Sequence, residues 1–341
     1  MAPQPSRRAL VGAAAALALP SAPPAGAADV VTEATAAALS FPGDPTDRYW
    51  KLFADNLAAG GGITLKLLTR GELGSEEQIL PATRRGRVQL AGFTSSGLEA
   101  LIPEFGLLLA PYLFDSFAEA DFVLDHVLAE PFAQLCDRNA LVMLTWYDEG
   151  WRHLFSKAAM PGPAAAVRYP LRALQARASR AFLSALGADV VPMPFPDVVP
   201  GLQTGLIAGG EIGIYMYAVS GIADHARHFT LTRHAYSTGI IAANKDWFDR
   251  LTAGERSAIR AAAPPATVAR QLMRDAAEHD LARVRASGAA VREPDAAERA
   301  LWAAAGRGTH RRLIADIGGD AARIYALIED GKRAFLAQTP P

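Results

Sequence analysis

The chain has 341 residues, half of them hydrophobic and a fifth charged, with a formal net charge of -1. That length exceeds one ordinary core and suits two domains of about 100 to 200 residues. The near-neutral balance gives no electrostatic reason to expect nucleic acid or an anionic membrane as partner, which leaves a small molecule as the expected ligand.

The N-terminus reads as an export signal. Arg7 and Arg8 precede an uncharged run from Ala9 to Leu19, then Pro-rich residues and Ala25-Gly-Ala27, the order of a charged region, an apolar region and a small-residue cleavage site. The apolar run is too short for the roughly 20 residues that span a bilayer. Residues 1–28 are therefore expected to be removed, with the mature protein in the periplasm; Ser6-Arg7-Arg8 also resembles a twin-arginine signal. Cys136 is the single cysteine, so no intramolecular disulfide forms, and its apolar helical surroundings predict burial.

In the mature chain, Asp29 to Leu39 reads as a first strand. Phe41-Pro-Gly-Asp-Pro45 breaks it, and a helix capped by Thr46 follows through Leu57, with Trp50, Phe53 and Leu57 at helical spacing. Ile63 to Leu67 alternates as a strand, Ser75 to Arg85 as a second helix, and Val88 to Phe93 as a short strand ending at Thr94-Ser-Ser96. Ligands collect at the carboxyl ends of strands in open α/β sheets, so Thr94 and Ser95 are candidate contacts; a plain Ser/Thr turn reads the same way.

Pro103 to Phe114 is expected to be a buried strand flanked by prolines, Phe117 to Cys136 a helix, and Leu141 to Thr145 a strand. Trp146-Tyr-Asp-Glu-Gly150-Trp-Arg152-His153 then places three aromatic rings and a cation at a strand end, the composition of a pocket with apolar walls or of a packed domain boundary. A further alternating segment delivers Arg177 at its end, where a guanidinium fork suits bidentate capture of a carboxylate. Tyr215 and Tyr217 alternate on a segment expected to face a cleft. His225 and His228 permit metal ligation by spacing but lack a third ligand nearby, so a surface pair is the simpler reading. Thr252-Ala-Gly-Glu255 is a capping box, and the chain is helical and charged from about Ala266 onward, with a flexible tail over 333–341.

The order Gly71-Glu-Leu-Gly74, Pro103-Glu-Phe-Gly106 to Pro111-Tyr-Leu-Phe114, Gly150-Trp-Arg152, Leu174-Gln-Ala-Arg177, Ala185-Leu-Gly-Ala188, Pro192-Met-Pro194, Leu202-Gln-Thr-Gly205 and Asn244-Lys-Asp-Trp247 resembles the DctP-type solute-binding proteins of TRAP transporters. The resemblance covers residues 36 to 330. It implies an α/β, two-lobed periplasmic binding protein (Venus flytrap) fold with hinge-crossing strands and a helical C-terminal part. It also implies capture of a small organic acid between the lobes and delivery to a permease of small and large membrane subunits. Residues 29–149 plus 238–275 would form one lobe and 150–237 plus 276–332 the other.

By this resemblance Arg177 grips the ligand carboxylate and Arg152 assists, and Glu211 keeps a family position; Trp146, Trp151 and Tyr215 are further candidate contacts from their aromatic character and placement. The run Ala208-Gly-Gly210-Glu211-Ile212 departs from the family, with an apolar Ile212 where a ligand-binding Asn is expected, and Pro200-Gly201 interrupts an expected helix. Such departures also fit a diverged sensor or accessory protein. The aromatic residues Phe93, Trp146, Tyr147, Trp151, Tyr215 and Tyr217, with Ile212, predict a monocarboxylate with an apolar body. No nucleophile elbow, zinc-protease motif, phosphate loop or Cys/His cluster is present, so neither a catalytic residue nor a cofactor or metal is assigned. His153 is the one candidate general base, and a structural, hydrogen-bonded histidine is the reading preferred for it.

Overall fold

The computed structural model describes Met1 and residues 32–338. The expected signal segment and the last three residues of the expected tail lie outside the described residues. In chain order come β1 (Thr32–Ala37), α1 (Pro45–Gly60), β2 (Ile63–Leu68), α2 (Glu76–Arg84), β3 (Leu90–Thr94) and α3 (Ser95–Leu98). Then follow α4 (Phe117–Val123), a π-helical turn, α5 (Ala129–Arg138) and the 16-residue strand β4 (Leu141–Ser156). Next are β5 (Pro170–Ala173), α6 (Arg177–Ala185), β6 (Asp189–Pro192), α7 (Val198–Thr204), β7 (Gly209–Gly213), α8 (Ile214–Val219), α9 (Ile222–His225) and the 17-residue strand β8 (His228–Asn244). The chain closes with α10 (Lys245–Arg250), α11 (Ala253–Ala262), α12 (Ala266–Ala286), β9 (Ala290–Arg292), α13 (Ala296–Arg307), α14 (His310–Ile317) and α15 (Ala321–Gln338).

One sheet carries all of this, in the order β2-β1-β3-β8-β4-β7-β5-β6, with β9 beside β8. The parallel strands β1, β2 and β3 pair through β3 with the far end of β8, antiparallel. The parallel strands β5, β6 and β7 pair through β7 with the far end of β4, antiparallel. Because β4 and β8 are themselves antiparallel and run the full length of the sheet, they join two halves, each an α/β lobe.

Opposed directions bring the two sets of strands nose to nose. Thr94 at the end of β3 is opposite Gly239, which pairs with Tyr147; Gly213 at the end of β7 pairs with Arg152. The carboxyl ends of both lobes therefore meet along Tyr147 to Arg152 of β4, a span of about 16 Å at the usual rise per residue. This is where ligands are held in open α/β sheets. The β4–β8 ladder is irregular there, between Asp148 and Gly150 and again between Arg152 and Leu154. Glu149 is the unpaired extra residue of the first bulge, and Gly150 takes φ +77°, which favours glycine.

Several expectations change. Pro103–Leu109 is a 3-10 helix rather than a strand; its leading proline suits a first helical turn that needs no N–H. Asp44, not Thr46, caps α1, its carboxylate accepting the Asp47 N–H. Tyr215 and Tyr217 lie on α8, so they do not alternate as on a strand. Pro200 sits in the first turn of α7, where the missing donor is no loss, and the helix continues through Gln203. His225 ends α9 and His228 begins β8, so the two share no helix face. Helix α15 runs to Gln338, well into the expected tail. Leu313, Ile317, Ile324 and Ile328 of α14 and α15 pack with Phe105, Leu128 and Phe132, placing these helices on the first lobe.

Candidate functional site

At the meeting line of the two lobes lies a small cavity lined by Leu109, Pro111, Arg152, Leu174, Ala178, Ser179, Phe182, Glu211, His234 and Ala235. Arg152 comes from β4, Glu211 from β7, Ser179 from α6 and His234 from the stretch of β8 displaced by the second bulge. Glu211 is fully enclosed. Its carboxylate accepts from the His234 Nε2–H at 2.8 Å and from the Ser179 hydroxyl. Burial works against its charge, yet the His234 bond and the nearby Arg152 charge hold the Glu211 carboxyl down at about 2.

Burial holds His234 below the usual imidazole range, with the bond to Glu211 opposing that. It donates from Nε2 to Glu211, and its Nδ1 is hydrogen-bonded with the Thr232 hydroxyl at 2.8 Å.

Arg152 is 9 % exposed and makes no hydrogen bond or ion pair among the described residues, and its Nε is buried without any partner. A buried guanidinium with its donors open is costly unless an anion joins it. Glu211 lies near enough to feel the Arg152 charge, yet it bonds to His234, Ser179 and the Leu174 N–H and makes no hydrogen bond or ion pair with Arg152. A second guanidinium, Arg172 of β5, was missed in the sequence. It is buried, its Nε donates to the Met193 carbonyl at 3.1 Å and its Nη1 reaches the Glu211 carbonyl at 3.4 Å. Burial and the proximity of Arg152 push its pKa down to about 10. The available signal is its place in the strand Pro170–Ala173, one residue before the carboxyl end.

Arg177 is the first residue of α6, not the end of a strand. Its guanidinium Nη1 donates to Glu99 Oε1 at 2.8 Å, and its backbone N–H reaches the same carboxylate, so this fork already holds a carboxylate of the chain itself. Thr94 caps α3 and its N–H and hydroxyl donate to Glu76. Ser95 is buried and donates to the Thr238 carbonyl. Tyr215 spans the lobes, its hydroxyl donating to Asp44 at 2.6 Å.

Three expected contacts are packing residues. Trp146 packs on Phe132 and donates to the Leu124 carbonyl; Trp151 packs on Phe117 and Tyr236; Ile212, 2 % exposed, belongs to the core of the second lobe. Phe93 and Tyr217 are fully buried as well. His153 accepts the Arg233 N–H through Nδ1 and is held far below the usual range by burial, a structural histidine.

A second cavity sits on the first lobe, lined by Thr46, Trp50, Glu76, Gly92, Tyr147 and their neighbours. Among the described residues no cluster of His, Cys, Asp and Glu is arranged to hold a metal, and no helix is long and apolar enough to cross a membrane.

Residues 39–316 match the family model described as bacterial extracellular solute-binding protein, family 7 (DctP). The chain belongs to that family. It is similar to the 2,3-diketo-L-gulonate-binding periplasmic protein YiaO of Escherichia coli, at 28% identity over 56% of this chain and 59% of that one. It is also similar to the ectoine-binding periplasmic protein TeaA of Halomonas elongata, at 26% identity over 66% of this chain and 67% of the relative. The alignment with YiaO thus spans about three-fifths of that protein's length.

Among solved structures, the sugar acid binding protein of Advenella mimigardefordensis in complex with galactonate superposes with TM-score 0.82 at 24% identity, over 88% of this chain and 99% of that one. The ectoine-binding protein of Halomonas elongata gives 0.84 at 21% identity, over 89% and 99%. These likenesses show the two-lobed periplasmic binding protein fold for this DctP-family chain.

Proposed function

We propose that this DctP-family protein captures a small organic acid between its lobes, with the carboxylate on Arg152, and delivers it to the membrane subunits of a TRAP-type permease from the periplasm. One observation carries the reading: a nearly buried guanidinium with no partner, facing a cavity where the carboxyl ends of two opposed sets of strands converge. Arg172 adds a second positive charge behind it. YiaO and the galactonate-binding protein are named for acids, which supports an acidic ligand here. Two charge-assisted hydrogen bonds, each about 1.5–3 kcal/mol, are a large share of the roughly 8 kcal/mol of a micromolar complex.

Two lobes joined through the crossing strands β4 and β8 support capture by closure. A ligand held by both lobes favours the closed arrangement by the difference between its affinities for closed and open forms. The protein itself carries no chemistry in this reading. The experiment is native mass spectrometry of the exported protein, with release and identification of any retained molecule, followed by calorimetric titration of that molecule. A bound carboxylate whose affinity disappears in Arg152→Ala is the expected result. A protein that retains and binds no carboxylic acid is not an acid carrier.

A further inference from the structure

The first-lobe side of the cleft holds two carboxyl groups, Glu76 and Glu149, that have no Lys, Arg or His within ion-pair distance among the described residues. Glu76 accepts from the Thr94 N–H at 3.0 Å and the Thr94 hydroxyl at 2.7 Å; Glu149 accepts from the Ser237 hydroxyl and from the Tyr147 hydroxyl at 3.3 Å. Neither makes an ion pair among the described residues. The enclosed carboxylates Glu99, Glu119 and Asp148 differ, each having a Lys or Arg within 4 Å. Glu149 is also near enough to oppose the ionisation of Glu76, an arrangement that a cation between them relieves.

A second observation points to an occupant. The Trp50 indole is fully buried and lines the same cavity as Glu76 and Tyr147, yet its Nε1–H has no acceptor. Gly92, also in the lining, leaves room beside that nitrogen: a Cβ there would stand 3.6 Å from it. A molecule in the cavity, or a water carried with it, supplies the missing acceptor.

We infer that the ligand is a small zwitterion, with its carboxylate on Arg152 and a cationic nitrogen between Glu76 and Glu149. This rests on the organic-acid reading and narrows it. Glu149 and Arg152 are three residues apart on β4, about 10 Å of strand, so the two charged ends are separated by a short chain or one ring. Of the residues behind the expected apolar-bodied monocarboxylate, Phe93, Trp146, Tyr217 and Ile212 are core residues, while Tyr147 lines the first-lobe cavity.

The test uses straight-chain acids of about three to seven carbons, each in three forms that differ only at the far end: methyl, hydroxyl or amine. Calorimetry on the mature protein should show the amine form binding more tightly than the other two at one or more chain lengths. In Glu149→Gln and in Glu76→Gln the ratio of amine to methyl affinity should fall about tenfold or more. Where one variant does not fold, the wild-type ratio and the other variant decide. Equal or tighter binding of the methyl or hydroxyl forms, or a ratio that survives both substitutions, overturns the zwitterion and leaves the acid carrier standing. If no form of any length binds, both readings fall.

Discussion

Arg177 of the second lobe and Glu99 of the first form a clasp: one carboxylate takes the guanidinium at 2.8 Å and the backbone N–H of the same arginine at 3.1 and 3.2 Å. Glu99 is buried, whereas the Arg177 side chain is 38 % exposed. Burial raises the Glu99 carboxyl above its usual range, and the bonds to Arg177 oppose that. The clasp joins the lobes without any ligand.

Arg177→Ala is therefore expected to act on closure rather than on the ligand. Solvent screening of the guanidinium keeps the stability loss near about 1 kcal/mol. Affinity should fall by less than about tenfold, through a smaller closed population. Small-angle scattering should show a more open unliganded average. A loss of binding as complete as that of Arg152→Ala would return the ligand carboxylate to Arg177.

Arg152→Ala carries the opposite signature. Removing an unpartnered, nearly buried charge costs the fold little and can stabilise it, since no ion pair is broken. Binding of a carboxylate, with two charge-assisted hydrogen bonds gone, should weaken by about a hundredfold or more. Thermal unfolding and calorimetry on one preparation separate the two effects.

Glu76 predicts a pH dependence. Burial first, then Glu149, pushes its pKa from 4.5 up to about 8. The folded state thus holds this proton more tightly than the unfolded chain, so the stability it contributes is full below pH 4.5 and lost as pH rises through 8. Glu76→Gln has no proton to lose. The unfolding midpoint of the variant minus that of the wild type should grow between about pH 5 and about pH 9. A constant difference would place Glu76 in an environment that does not perturb it.

Gly210→Ala tests the support of the anion side. A Cβ at this residue of β7 would stand 2.9 Å from the Arg172 Cβ and from Phe155 Cζ, so strand β5 and Arg172 must shift. Overpacking of this kind costs about 1–3 kcal/mol. Ligand affinity should drop with it, because Arg172 backs Arg152. Unchanged stability would mean that β5 moves freely.

Most regular elements were legible from periodicity: the opening βαβ unit, the Thr252–Glu255 capping box and the long charged helices all stand where the pattern placed them. What local pattern could not show was the length of β4. Trp146 to His153 read as a strand end because aromatic and charged residues break the apolar alternation, but pairing with β8 carries the strand through them. The same blindness moved the site. Arg177 stands out by following Leu174 and Ala176, while nothing in the local pattern marks Arg172, inside a four-residue strand, as buried. Arg152 is among the expected contacts, but that no described residue hydrogen-bonds or pairs with its guanidinium is a tertiary fact. Of the aromatic residues expected to line the ligand space, Phe93, Trp146 and Tyr217 are buried in the core while Tyr147 lines the first-lobe cavity, since composition does not tell which face of a strand meets a cavity.

Strands β4 and β8 pass unbroken from one lobe to the other. The protein therefore has no severable joint. Cutting the polypeptide between Glu149 and Gly150, or swapping one lobe for that of a relative, would strip backbone hydrogen bonds from both halves at once and leave raw sheet edges prone to aggregation. Evolution of a new ligand preference in such a molecule has to proceed by changing side chains around the crossing, one at a time, and not by shuffling modules.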